Sequence, residues 1–239
     1  MGNPDDPNDA AGLSKYKIIR HAEDSLRRIG TDRIDLLQMH HVDRRAPWDE
    51  VWEAFELLMA QGKVVYVGSS NFAAWDLALA QAAAHTRSTF GLVSEQHRFN
   101  LLCRLPELEV LPAAGHLGIG VLAYSPLAGG RLGGDELRGG DRSRRARQAQ
   151  PGRPDEQTAR RLREFALLCR ERDASQAAVA TAWILAQPAL TAAIIGPRTA
   201  DQLRHLLPAL DLTLDNAALA RLDELFPGPG GSAPQAYAW

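Results

Sequence analysis

The sequence predicts an α/β protein whose parallel strands are joined by covering helices, and three observations carry that prediction. Short apolar segments begin near residues 34, 64, 92 and 119, a recurrence of roughly 30 residues that matches one strand-plus-helix unit. The stretches between them place apolar residues at helical rather than alternating spacing. The strand segments are largely apolar throughout, as strands covered on both faces must be.

Taken in order, Ser14 is positioned as a helix N-cap, with Ile18, Ile19, Ala22, Leu26 and Ile29 at helical spacing and Gly30 as the stop. IDLLQMHH, residues 34–41, is the first strand. A helix opens near Asp49, carries Val51, Trp52, Phe55, Leu58 and Met59 on one face, and closes at Gly62. VVYVG, residues 64–68, returns to strand chemistry. The alternation continues with a helix over 72–85, a strand over 92–96, a helix over 106–116 and the strand GIGVLAYS, residues 118–125. Residues 127–154 are crowded with Gly and Arg, lack an apolar face, and are expected to form a mobile loop. Helices follow over 155–172 and 175–187, then a strand over 190–195, a helix from near Thr199 and a last helix over 215–226. Pro and Gly make residues 227–239 a surface coil. The whole, residues 1–239, is expected to be one domain with about five strands.

A 239-residue chain with 45% hydrophobic residues and a net charge of -2 has material for a sizeable core and no overall basic field for nucleic acid. No apolar run approaches the roughly 18 residues of a membrane span, and the polar start MGNPDDPNDAAG lacks the pattern of a secretory signal, so a cytoplasmic small-molecule protein is expected. The two cysteines, Cys103 and Cys169, have neither disulfide nor zinc spacing, and no metal site is expected.

Periodicity alone leaves an incomplete barrel and an open doubly wound sheet unseparated, although no G-x-G-x-x-G follows any strand. Motifs at successive strand ends narrow the choice. DSLRRIGTDRIDLLQMH (24–40), GKVVYVGSSNF (62–72), SEQHRFNLLCR (94–104), VLAYSPLAGGRL (121–132) and IIGPRTADQL (194–203), in this order, together resemble the aldo-keto reductase family. The resemblance implies a (β/α)8 TIM-barrel type of fold, here incomplete with about five of eight strands, and NADPH-dependent reduction of an aldehyde or ketone.

By that resemblance His40 contacts the substrate carbonyl, while Ser70, Asn71 and Gln96 bind the nicotinamide carboxamide. An amide ligand needs a donor and an acceptor, which Asn71 carries on one side chain, with a hydroxyl added by Ser70. Tyr124 matches the ring that stacks on the nicotinamide, and Ser125, Leu127, Gly129 and Arg131 match the turn facing the pyrophosphate. Gly196, Arg198 and Gln202 match the adenosine end, where the fork of Arg198 suits the 2′-phosphate of NADP(H). Leu206 departs from the pattern, standing where the family usually has an adenine-binding Asn.

The resemblance also places the family's catalytic Asp, Tyr and Lys before the matching region, so of that tetrad only His40 is expected here. An N-terminally truncated barrel would lack general acid catalysis, typically worth about 10² to 10⁴-fold. It would also expose strand edges, for which self-association or a covering partner is expected. The alternative function is a non-catalytic nucleotide-binding or regulatory subunit of the same fold.

Other residues receive plainer readings. His41 and His97 are expected to be structural; Trp48, Trp52, Trp75 and Trp183 are expected in the core; Glu50, Glu53 and Asp76 are expected on solvated helix faces. The cluster Arg142, Arg144, Arg145 and Arg147 lacks interleaved aromatics and is expected in a solvated or cofactor-covering loop.

Overall fold

A computed structural model of the chain describes residues 12–134 and 154–236. These fall into two compact units. One holds the described residues up to Gln96 with Ala113–Gly120, and the other holds His97–Pro112 with the described residues from Val121 onward. Each unit carries its own share of strands and helices.

The first unit opens with α1 (Lys15–Ile29), whose buried Ile18, Ala22 and Leu26 recur every four residues along one face. Gly30 stops it with φ 76°, and the Gly30 and Thr31 amides both donate to the Leu26 carbonyl, at 2.9 and 3.2 Å. Next come β1 (Ile34–Met39), α2 (Trp48–Ala60), β2 (Val64–Ser70), α3 (Ala74–Thr86) and β3 (Leu92–Arg98). β1 pairs in parallel with β2 from Ile34↔Val64 to Met39↔Ser69, and β2 with β3 from Val67↔Leu92 to Ser70↔Gln96. α2 buries Val51, Trp52, Ala54, Phe55 and Leu58, and the Trp52 indole donates to the Ala80 carbonyl of α3 at 3.0 Å. That bond satisfies the polar edge of a fully buried ring.

α4 (Val110–Leu117) and β4 (Gly120–Tyr124) follow in the chain. The second unit continues with α5 (Glu156–Glu171), α6 (Gln176–Leu185), β5 (Leu190–Ile194), α7 (Ala200–Leu206) and α8 (Asn216–Leu225). β4 pairs in parallel with β5, ending at Tyr124↔Ile194. Every residue of α6 from Ala177 to Ile184 is buried, as expected of a helix apolar on all sides. Phe99 packs on Trp183 at 5.2 Å between centroids, and Arg104 lies over the same indole at 5.0 Å. Arg104 also donates to Glu107, Asp223 and the Phe226 carbonyl, fastening the segment after β3 to α8.

The predicted alternation of strands and helices is the observed one, with local corrections. The helix expected over 106–116 is instead a 3-10 turn at Leu105–Glu107 followed by α4. Pro112 explains the break. In a continuous helix its ring would strike the carbonyl four residues back, whereas a restart at Val110 places it harmlessly in the first turn. The helix expected from residue 72 begins at Ala74, because the Ala73 amide is held by the Asp76 carboxylate at 3.1 Å. Asp76 is therefore buried and not on a solvated face, and Trp75, expected in the core, is 51% exposed. Of the segment expected to be a mobile loop, residues 127–134 are described and form a 3-10 turn (Ala128–Gly130) with Leu132 buried. The remainder to 153, including the four-arginine cluster, lies outside the described residues. Residues 227–236 form no helix or strand, and the Ala233 amide bonds the Leu108 carbonyl at 2.8 Å. No helix among the described residues is long and apolar enough to cross a membrane.

Candidate active site

In the first unit the parallel register itself gathers the predicted residues. Met39 pairs with Ser69 and Ser70 with Gln96, so His40, Ser70, Asn71 and Gln96 emerge at neighbouring carboxyl ends of β1, β2 and β3. The Gln96 carbonyl accepts two bonds, from Ser70 Oγ at 2.8 Å and from the Asn71 amide at 3.1 Å. Asn71 Nδ2 donates in turn to the His40 carbonyl at 3.2 Å and to Ser70 Oγ at 2.9 Å. Four sequence-predicted residues thus form one hydrogen-bonded group.

Both amide hydrogens of Asn71 and the Ser70 hydroxyl hydrogen are directed at partners within the chain, which leaves Ser70 Oγ with acceptor capacity only. Asn71 sits at φ 59°, in the left-handed region that Asn tolerates better than most residues. The turn leaving β2 therefore holds backbone strain at a residue whose side chain ties two strand ends together.

Two residues that the sequence reading missed support the group from behind. Glu95 is fully buried, and its carboxylate accepts from Ser69 Oγ and, at 3.1 Å, from the Phe72 amide, bracketing Ser70 and Asn71 on both sides. Gln38 accepts from Gln96 Nε2 at 3.0 Å and donates to Ser94 Oγ at 3.2 Å. The available signal was polarity: each is a polar residue inside a strand otherwise read as buried on both faces.

His40 lies just past β1 with its ring 4.6 Å from that of His41. The strand has ended, so the alternation of faces along a strand does not apply to His40 and His41, and both rings lie together and exposed. Partial desolvation, followed by the neighbouring His41, lowers the His40 pKa below the ordinary histidine value of 6.5. The segment beyond is anchored by Arg44, which grips Asp76 with two bonds of 3.1 and 2.7 Å and lies 4.5 Å from the centroid of Trp75.

The second unit gathers its own predicted residues. Tyr124 ends β4 and pairs with Ile194 at the end of β5. Ser125 follows in the left-handed region at φ 56°, its carbonyl held by the Ala128 amide at 3.0 Å and by Asn100 Nδ2 at 2.9 Å. Leu127 accepts from the Gly130 and Leu132 amides, and Gly129 at φ 68° allows the tight turn that leads to Arg131. After β5, Gly196 and Arg198 are exposed, and Gln202 reaches back to accept from the Arg198 amide at 2.8 Å while its own amide bonds Thr199. Leu206, at the position that departs from the pattern, is buried in the apolar interior.

The chain is similar to known proteins along nearly its whole length. The aldo/keto reductase family pattern matches residues 4–226. The uncharacterized oxidoreductase YrpG of Bacillus subtilis is 55% identical over 240 residues, covering 100% of this chain and 73% of that protein. The aldo-keto reductase AMT2 of Alternaria alternata is 30% identical over 89% of this chain and 58% of its own length. The L-glyceraldehyde 3-phosphate reductase of Escherichia coli is 30% identical over 91% of this chain and 65% of its own length. The chain belongs to the aldo/keto reductase family, and its α/β fold of parallel strands is consistent with the barrel of that family. It spans about three quarters of the Bacillus relative and less than two thirds of the other two.

Proposed function

We propose that the protein is an NADPH-dependent oxidoreductase that reduces an aldehyde or ketone to an alcohol. The observation carrying this reading is the hydrogen-bonded group at the ends of β1, β2 and β3, where Ser70 Oγ keeps acceptor capacity and Gln96 Oε1 takes no hydrogen bond among the described residues. Two acceptors on adjacent strands fit the N–H groups of a primary amide, which is the group a nicotinamide presents.

A bound nicotinamide would supply the hydride for the carbonyl carbon, and solvent water the proton that completes the alcohol. The chain's own contribution begins with His40, whose lowered pKa leaves its ring neutral at neutral pH, able to donate one N–H to a substrate carbonyl oxygen and to stabilise the charge that develops there. Asn71 fixes the His40 backbone, so this donor is positioned by the same residue that helps to form the amide site. Tyr124 is the proposed face for the nicotinamide ring, and Ser125, Leu127, Gly129 and Arg131 are the proposed pyrophosphate contacts. Gly196, Arg198 and Gln202 are proposed for the adenosine end, with Arg198 selecting the 2′-phosphate.

Titration with NADPH and NADH, followed by turnover of a reactive aromatic aldehyde, tests the reading. NADPH is expected to bind more tightly than NADH, with the gap narrowed by Arg198→Ala. Tight binding without turnover would replace the oxidoreductase with a nucleotide-binding subunit, and absence of binding would overturn both.

A further inference from the structure

From the same group of side chains we infer that Gln38 is a positioning residue, which sets the orientation of the Gln96 amide and thereby makes the site selective for a ligand carboxamide. The inference rests on the proposed cofactor reading and extends it to a residue that touches no ligand.

A glutamine amide can face either way, and its neighbours decide which end is nitrogen. For Gln38 the decision is made by a backbone group that can only accept: its Nε2 lies 3.5 Å from the Ser69 carbonyl and 3.2 Å from Ser94 Oγ. The Oε1 end of Gln38 therefore faces Gln96, and only the Nε2 end of Gln96 can pair with it, at 3.0 Å. The Gln96 amide is thus read out from a fixed carbonyl through one intervening side chain, and its Oε1 is left for a ligand N–H.

Gly68 completes the device. A Cβ at this position would lie 2.3 Å from Ser94 Oγ and 3.0 Å from Gln38 Cγ, so any other residue would displace both partners. The middle strand yields its side chain where β1 and β3 must bond across it.

The selectivity that follows is chemical. A carboxamide donates N–H to Gln96 Oε1, whereas an acetyl group in its place brings a methyl and cannot donate. If Gln38 is replaced by Met, the Gln96 amide is free to turn over, and its NH2 end can then serve a ligand carbonyl.

The test compares binding of NADPH with that of its reduced 3-acetylpyridine analogue to the intact protein. The wild type is expected to prefer the carboxamide, and Gln38→Met is expected to shrink that preference about three- to tenfold, the range of one hydrogen bond. Gln38→Glu keeps an acceptor facing Gln96 Nε2 and is expected to preserve most of the preference. Ser94→Ala, which loosens Gln38 from the side, is expected to reduce it by a smaller factor and provides the reading if Gln38→Met does not fold. A wild-type preference unchanged in Gln38→Met, or in Ser94→Ala where that variant stands in, overturns the inference while leaving the cofactor reading intact. So does a Gln38→Glu preference as low as that of Gln38→Met. No binding of NADPH by the wild type overturns the parent reading and this inference together.

Discussion

Asn71 Nδ2 donates to the His40 carbonyl at 3.2 Å, so the residue that follows one strand is tied to the residue that follows its neighbour. The tie crosses between the two segments that carry the proposed carbonyl donor and the proposed amide site. It is made from a backbone at φ 59°, which couples conformational strain to the positioning of His40.

Asn71→Gly and Asn71→Ala separate these two contributions. Glycine adopts the left-handed conformation freely, whereas alanine pays for it by roughly 1 to 2 kcal/mol. Urea unfolding is expected to show Asn71→Ala less stable than Asn71→Gly by about 1 kcal/mol. NADPH affinity is expected to fall to a similar extent in both, because both lose the side-chain bonds.

Asp76→Ala removes the carboxylate that holds Arg44 and caps α3 through the Ala73 amide. Its loss is expected to cost about 1.5 to 3 kcal/mol, the range for hydrogen bonds to a charged group. Arg44→Ala leaves the same carboxylate buried without its guanidinium, and is expected to destabilise far more than removal of a half-exposed arginine ordinarily does. Chemical denaturation of the two variants and of the double variant reads the coupling directly.

Partial desolvation and His41 both push the His40 pKa down, so the folded chain binds this proton less readily than the unfolded chain does. The sign follows: stability attributable to His40 is complete above the unfolded value of 6.5 and is lost as pH falls through the folded pKa below it. Proton resonances of the imidazoles are expected to titrate with a His40 midpoint under 6.5. His41→Ala is expected to raise that midpoint part of the way back, since desolvation remains. An unmoved midpoint would remove His41 as a cause.

Burial raises the thiol of Cys169 from 9.0 to about 12. Between those values the unfolded chain loses a proton that the folded chain keeps, so stability is fully present below pH 9 and declines toward pH 12 by up to about 1.4 kcal/mol per unit. Iodoacetamide at pH 8 is expected to leave Cys169 unmodified until denaturant is added, a result that peptide mapping would show.

The alternation of elements was legible because it is written in period: Ile18, Ala22 and Leu26 announce a helix face, and short apolar runs announce strands, although those of β1 and β5 are less covered than expected, with Met39 the one buried residue of β1 and none buried in β5. The proximity of Ser70, Asn71 and Gln96 at strand ends was legible through motifs, since it follows from a register that the motifs already imply. Gln38 and Glu95 were not, because they act by bonding to a residue on another strand, and a single sequence does not show which residues face each other. Asp76 was misread for a related reason. Its helical position looks solvated until the segment carrying Arg44 is laid across it.

The stacking of Arg44 on a half-exposed Trp75 gives the protein an intrinsic optical gauge. Trp52 and Trp183 are shielded in the interior, so their emission should hold steady while the indole beneath the guanidinium responds to whatever lifts or seats the segment after His40. Docking of that segment can then be followed during ligand addition without attaching a dye, with Trp75→Phe as the blank that identifies the signal.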